Sequence, residues 1–192
     1  MLVTAHQDRF IHVWNLRECF SKNDWAPKSI LESPLKFATT SIEVFGDGRG
    51  FVVGSIEGRC GVKNYDFMKT GLGSDTVFCF KCHRTDFQSD KKAEVYPVNG
   101  FSFNTEYNTF MSYGGDGTFA IWNKDTKSKY KSSDKLPSPI VAASFSDDGS
   151  MLAFATGDDY ERGFEERKRT NFVNQIIIRT NDVKNEVFKS RR

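Results

Sequence analysis

One pattern returns along this chain, and it constrains the fold more tightly than composition does. FGDGRGFVVGSIEG from Phe45, FNTEYNTFMSYGGDG from Phe103 and FSDDGSMLAFATGDD from Phe145 share an order of parts. Each opens with Phe, passes a polar turn, runs through apolar residues into small ones, and reaches an acidic residue. The interval is 12 residues from Phe45 to Glu57, and 13 both from Phe103 to Asp116 and from Phe145 to Asp158. A partial copy opens the chain: Trp14 follows Asp8 by six positions, as Trp122 follows Asp116, with apolar residues at alternate places between. Alternation is the period of a half-buried strand. The anchors Asp8, Glu57, Asp116 and Asp158 lie 49, 59 and 42 residues apart, the scale of a propeller or solenoid repeat.

Each unit holds several short β-rich runs separated by Gly, Asp and Asn turns. In the third unit these are Val77–Cys82, Val98–Phe103, Phe110–Gly114 and Phe119–Trp122. No helical apolar stripe competes. Four strands per unit, with Asp-Gly before the strand that ends in Trp, resemble a blade of the WD-repeat β-propeller. The expected fold is therefore all-β, about half of a seven-bladed ring: three blades plus part of a fourth, over residues 1–180. Residues 1–16 are read as the end of a blade, and 27–66, 74–125 and 126–180 as repeats. The last carries a charged loop at 159–174 before the strand Gln175–Arg179, and 181–192 are read as a tail. Because a propeller closes by pairing its first and last strands, an arc of this length is expected to be a C-terminal fragment and, alone, aggregation-prone.

Composition excludes several classes. There is no run of 18 apolar residues, so no membrane-spanning helix is expected. The opening MLVTAHQDRF lacks the basic flank and apolar core of a signal peptide, and the four cysteines are expected as reduced thiols. A net charge of +2 lacks the strong basic bias of a dedicated nucleic-acid binder. No phosphate-cradling G-x-x-x-x-G-K-[ST], no G-x-S-x-G and no H-E-x-x-H occurs, so no enzyme is expected.

One motif argues for chemistry. CFKCH, Cys79 to His83, matches the C-x-x-C-H of c-type haem attachment. It lies, however, in an alternating run, where Phe78, Phe80 and Cys82 share one face and Cys79, Lys81 and His83 the other. The thiols then point apart, and no second Cys pair stands at zinc spacing. The expectation is a strand, with no cofactor and with Cys82 more protected than Cys79; a haem or thiol-redox protein is the alternative of another class.

The strings SPLK (33–36), GSIEGR (54–59), FKCHR (80–84), YPVNG (96–100) and WNKDTKSKYKSS (122–133) carry a closer resemblance. They are similar to the C-terminal half of a WD-repeat family that comprises the messenger-RNA export factors of the nuclear pore and their sisters, the mitotic checkpoint WD-repeat proteins. WNKDTKSKYKSSDKLPSPI and DDYERGFEE favour the export side. Lys63 departs, standing where the second repeat would place its aromatic residue, and the tail agrees weakly.

The resemblance implies a non-enzymatic scaffold in the nucleus and at the nuclear pore, and also in the cytoplasm. One propeller face would bind an acidic GLEBS-type segment of a phenylalanine-glycine nucleoporin, or of a checkpoint kinase on the alternative reading. It would pair His83 with Asp116 and Trp122 as a structural group. Arg84, after an outer strand, and Arg59, after a turn, are the candidate partner-binding residues, placed on one rim where they can grip carboxylates in bidentate fashion; solvation of two loops is the other reading. Lys124, Lys127 and Lys129, with Lys131, either contact RNA phosphates or solubilise a connection.

Overall fold

The computed structural model describes residues 1–64, 76–86, 92–161, 163 and 171–180. Among the described residues, four antiparallel sheets and a two-stranded ribbon follow one another along the chain. The first contains β1 (Leu2–Ala5), β2 (Phe10–Trp14) and β3 (Ser29–Glu32). The second contains β4 (Thr39–Val44), β5 (Gly50–Ser55), β6 (Arg59–Asn64) and β7 (Val77–Lys81). A two-stranded ribbon, β8 (Arg84–Asp86) and β9 (Ala93–Val95), leads into the third sheet. That sheet is β10 (Val98–Asn104), β11 (Thr109–Gly114), β12 (Phe119–Asn123) and β13 (Ser128–Ser132). The fourth contains β14 (Ile140–Phe145), β15 (Leu152–Thr156) and β16 (Gln175–Arg179). The architecture is all-β, and its successive antiparallel sheets fit the expected partial β-propeller.

The turns explain why the strands break where they do. Asp8, Asp116 and Asp158 each accept a hydrogen bond from the backbone N–H two residues on, at 2.8–3.0 Å. A short acidic side chain that mimics backbone in this way specifies a tight turn. The residues after Asp8 and Asp116 are left-handed, Arg9 at φ 70° and Gly117 at φ 74°, and Gly58 after Glu57 is at φ 63°.

Packing occurs between sheets. Val3, Ile11 and Val13 of the first meet Phe51 and Val53 of the second; Phe45, Val52 and Val62 of the second meet Val98, Phe101 and Phe110 of the third. Met111, Phe119 and Ile121 of the third meet Phe145, Leu152 and Phe154 of the fourth. The middle strands β5 and β11 are therefore buried on both faces at every position. That is why FVVGS and TFMSYG read as continuous rather than alternating runs. Each fully buried Phe or Val contributes roughly 1.5–3 kcal/mol over leaving it exposed. The strands β4, β10 and β14 lie side by side and are stitched by polar groups: Thr40 Oγ1 donates to Val98 O (2.6 Å), Asn99 Nδ2 to Ile140 O (2.9 Å), and Phe145 N to Ser102 Oγ (2.9 Å).

Four features depart from the sequence reading. The run from Val77, read as the opening strand of the third unit, is instead the outer strand β7 of the second sheet, paired with β6. A helix, α1 (Leu16–Lys22), occupies the β2–β3 connection; Asn15 caps it, Cys19 is its buried residue, and left-handed Asn23 ends it. The strand expected to run through Cys82 stops at Lys81, because His83 takes φ 41° and turns the chain. His83, expected on the face of Cys79 and Lys81, swings inward and is 5% exposed. Arg84 consequently opens the ribbon strand β8 rather than ending the outer strand. Half of the charged loop 159–174 (162 and 164–170) and all of the tail 181–192 lie outside the described residues. Among the described residues no helix is long and apolar enough to cross a membrane.

Candidate functional site

The turn at His83 builds a polar network between the second and third sheets. His83 Nδ1 lies 2.9 Å from Asp116 Oδ1, and His83 Nε2 lies 3.0 Å from Ser112 Oγ. Trp122 Nε1 donates to the same Ser112 oxygen at 2.9 Å. An indole N–H can only donate. Ser112 therefore accepts from Trp122 and passes its own proton toward His83 Nε2, which leaves Nδ1–H for Asp116. Asp116 also accepts from the Thr118 N–H and hydroxyl. Burial pushes the Asp116 carboxyl upward, but the hydrogen bond from His83 and the two from Thr118 outweigh it, and the group titrates below its ordinary value. Gly114 makes room for the imidazole: a Cβ there would sit 2.7 Å from His83 Cγ. Phe80 packs on the indole with centroids 4.2 Å apart.

Ser112 was not singled out in the sequence, although a signal exists. A hydroxyl stands four residues before the acidic anchor in two copies, Thr4 before Asp8 and Ser112 before Asp116. Thr4 Oγ1 accepts from Trp14 Nε1 at 3.2 Å, the counterpart of the Ser112–Trp122 bond. Copies that repeat chemistry at a fixed offset expose a structural role that one copy hides.

The two arginines converge on Glu57. Arg59 Nε is 3.4 Å from Glu57 Oε2, and an Arg84 guanidinium nitrogen donates to Glu57 O at 3.2 Å. Arg84 Nε is buried and without a hydrogen-bond partner in the described structure. The guanidinium is thus held in place from the Glu57 side. Beside it opens a cleft of about 370 Å³ between the end of β7 and the β12–β13 hairpin. Lys81, Arg84, Lys129 and Lys135 line it; Asp116, the carboxylate on its wall, is already engaged by His83. Four cations around a concave surface favour an anionic guest. Arg59 lies outside this cleft and is tied to it through Glu57.

The lysine cluster divides. Lys124, a candidate RNA contact, is corrected: its side chain is 5% exposed, with Nζ 2.8 Å from Asp47 Oδ2 and 2.9 Å from Asp125 Oδ1. Burial alone would lower this ammonium's pKa, yet the two carboxylates raise it. It also stands 5.5 Å over the Phe45 ring, so it ties the second sheet to the third. Lys127 is exposed and sits 5.3 Å over the Phe78 ring; Lys129, on β13, is exposed at the cleft. Cys79 is exposed, with Sγ 3.5 Å from Pro34 O, whereas Cys82 is buried with Sγ 3.1 Å from Cys60 Sγ.

No protein-family model matches the chain. It is 38% identical over 164 residues to a WD40 repeat protein, poxJ, of Penicillium oxalicum, covering 85% of this chain and 45% of that one. It is 36% identical over 180 residues to the mRNA export factor GLE2 of Chaetomium thermophilum, covering 93% and 47%. With the poly(A)+ RNA export protein of Schizosaccharomyces pombe, identity is 36% over 167 residues, covering 85% and 44%. The chain spans somewhat under half the length of each of these relatives.

Proposed function

We propose that this chain, a stretch of WD-repeat β-propeller similar over most of its length to mRNA export factors, acts as a non-enzymatic interaction scaffold in messenger-RNA export at the nuclear pore. Its work is recognition: a GLEBS-type acidic segment of a phenylalanine-glycine nucleoporin docks on the face that carries Arg84, and the scaffold functions in the nucleus, at the pore, and in passage to the cytoplasm.

The observation that supports this reading is the state of Arg84. Its guanidinium is anchored on Glu57 O, and it borders a cleft lined by three lysines. A carboxylate arriving there meets a fixed, partly desolvated fork rather than a floppy surface side chain, and a charge-assisted bond of this kind contributes about 1.5–3 kcal/mol. Arg59 supports the same surface by holding the Glu57 side chain. Lys127 and Lys129 extend the basic face and are the candidates for RNA phosphate contacts. A checkpoint-kinase segment is the alternative partner, since GSIEGR and FKCHR suit both branches of the family. Titrating the purified protein with a nucleoporin acidic peptide and a checkpoint-kinase acidic peptide separates the two: the export reading requires tighter binding of the nucleoporin peptide.

A further inference from the structure

Beneath the cleft lies a pair of thiols that partner docking does not use. Cys60 in β6 and Cys82, just past β7, bring Sγ atoms to 3.1 Å in an S–H···S contact. Cys60 is fully buried and Cys82 is 8% exposed; only the latter of the two lines the cleft. Backbone pairing fixes their approach. Cys60 stands opposite Phe80, and Cys82 N donates to Gly58 O at 3.0 Å, which continues the ladder one step beyond β7. Cys79, the exposed thiol, stands opposite Gly61, where there is no sulfur to meet.

We propose that Cys60 and Cys82 are a redox modification site, a dithiol that a peroxide converts to a disulfide bridging the third and fourth strands of the second sheet. The Cys82 thiolate attacks one peroxide oxygen, the O–O bond breaks, and hydroxide leaves with a proton as water, giving Cys82 sulfenic acid. Cys60 Sγ then attacks Cys82 Sγ, the S–O bond breaks, and the departing hydroxide takes the Cys60 proton as a second water. Two thiols lose two electrons in total, and one hydrogen peroxide is reduced to two waters. Burial pushes the Cys60 thiol well above its ordinary value, so its proton is lost only as the hydroxide departs. Cys82 lines the cleft whereas Cys60 is fully buried, which assigns Cys82 as the attacking sulfur and Cys60 as the resolving one.

The test uses the native 192-residue chain, exposed to hydrogen peroxide, quenched with N-ethylmaleimide in denaturant, and digested with trypsin without reduction. Cleavage after Arg59, Lys63 and Lys81 puts Cys60, Cys79 and Cys82 on three separate peptides, so each link is unambiguous. The expected product is the Cys60 peptide joined to the Cys82 peptide, unchanged in Cys79→Ser, while Cys60→Ser traps a Cys82 sulfenic acid that dimedone labels. Oxidation confined to Cys79, a Cys79–Cys82 link, or Cys60 and Cys82 both carrying maleimide after treatment of the wild-type chain would overturn the assignment.

Discussion

His83 Nδ1 and Asp116 Oδ1 are 2.9 Å apart although 33 residues separate them, and the bond fastens the end of β7 in one sheet to the β11–β12 turn of the next. The ring is buried and both nitrogens are used. Replacing either partner with alanine leaves a buried polar group unsatisfied, at a cost of about 1–3 kcal/mol. His83→Ala, Ser112→Ala and Asp116→Ala are each expected to lower the unfolding free energy by that much, read as a fall in the urea midpoint at unchanged slope. Because they share one network, the double variant His83→Ala/Ser112→Ala should lose less than the sum of the singles. Strict additivity would contradict a shared network.

The same site sets an acid limit. The Asp116 carboxyl titrates below its ordinary value in the folded state. A depressed carboxylate contributes stability that is fully present above its unfolded value and disappears as pH falls through the folded one. Thermal midpoints of wild type and Asp116→Asn, followed from pH 7 downward, should therefore differ by a constant amount until the ordinary carboxylate range is reached. Below that range the gap should close, as wild type loses the advantage that the asparagine variant never had.

Gly117 tests the turn geometry. Its φ is 74°, and a Cβ there would approach Leu136 O to 2.8 Å and Ser138 O to 2.9 Å. Both backbone strain and contact with carbonyls oppose a side chain, and the strain alone costs on the order of 1–2 kcal/mol. Gly117→Ala is expected to lose at least that in chemical denaturation. Gly48, also left-handed at φ 65° but in open space, should lose less as alanine, so the difference between the two isolates the clash.

What the sequence made legible was whatever recurs. Short apolar runs separated by Asx turns gave the antiparallel sheets, and most strand ends fall within one residue of expectation, as at β12, read as Phe119–Trp122 and found as Phe119–Asn123. What escaped was set by single residues. The left-handed turn at His83 and the ribbon it launches have no period to betray them. The helix α1 is seven residues long, too short for an apolar stripe, although Asn15 followed by Glu18 is a cap signal. At the candidate site, sequence could place Arg59 and Arg84 near strand ends but could not show that both reach Glu57, since a backbone carbonyl as acceptor leaves no trace in composition.

Lys124 and Lys129 are expected to behave oppositely. Lys124→Ala removes the cation between Asp47 and Asp125 and should lower stability by about 1.5–3 kcal/mol, the range for bonds to charged groups. Lys129→Ala, on an exposed strand position, should leave stability within about 0.5 kcal/mol. Fluorescence anisotropy with single-stranded RNA at several salt concentrations should show the reverse order. Lys129→Ala reduces affinity and its salt dependence, whereas Lys124→Ala at a temperature where it is folded does not.

Arg84 is where the account stands or falls. Isothermal titration of the folded wild type, Arg84→Ala and Arg59→Ala with a GLEBS-type acidic peptide reads the claim directly, with circular dichroism showing that each variant keeps its sheets. Wild type should bind, Arg84→Ala should lose roughly 10-fold to 100-fold in affinity, the equivalent of about 1.4–2.8 kcal/mol, and Arg59→Ala should lose less. Equal affinity of wild type and a folded Arg84→Ala would contradict the account, and would move the docking face away from the cleft.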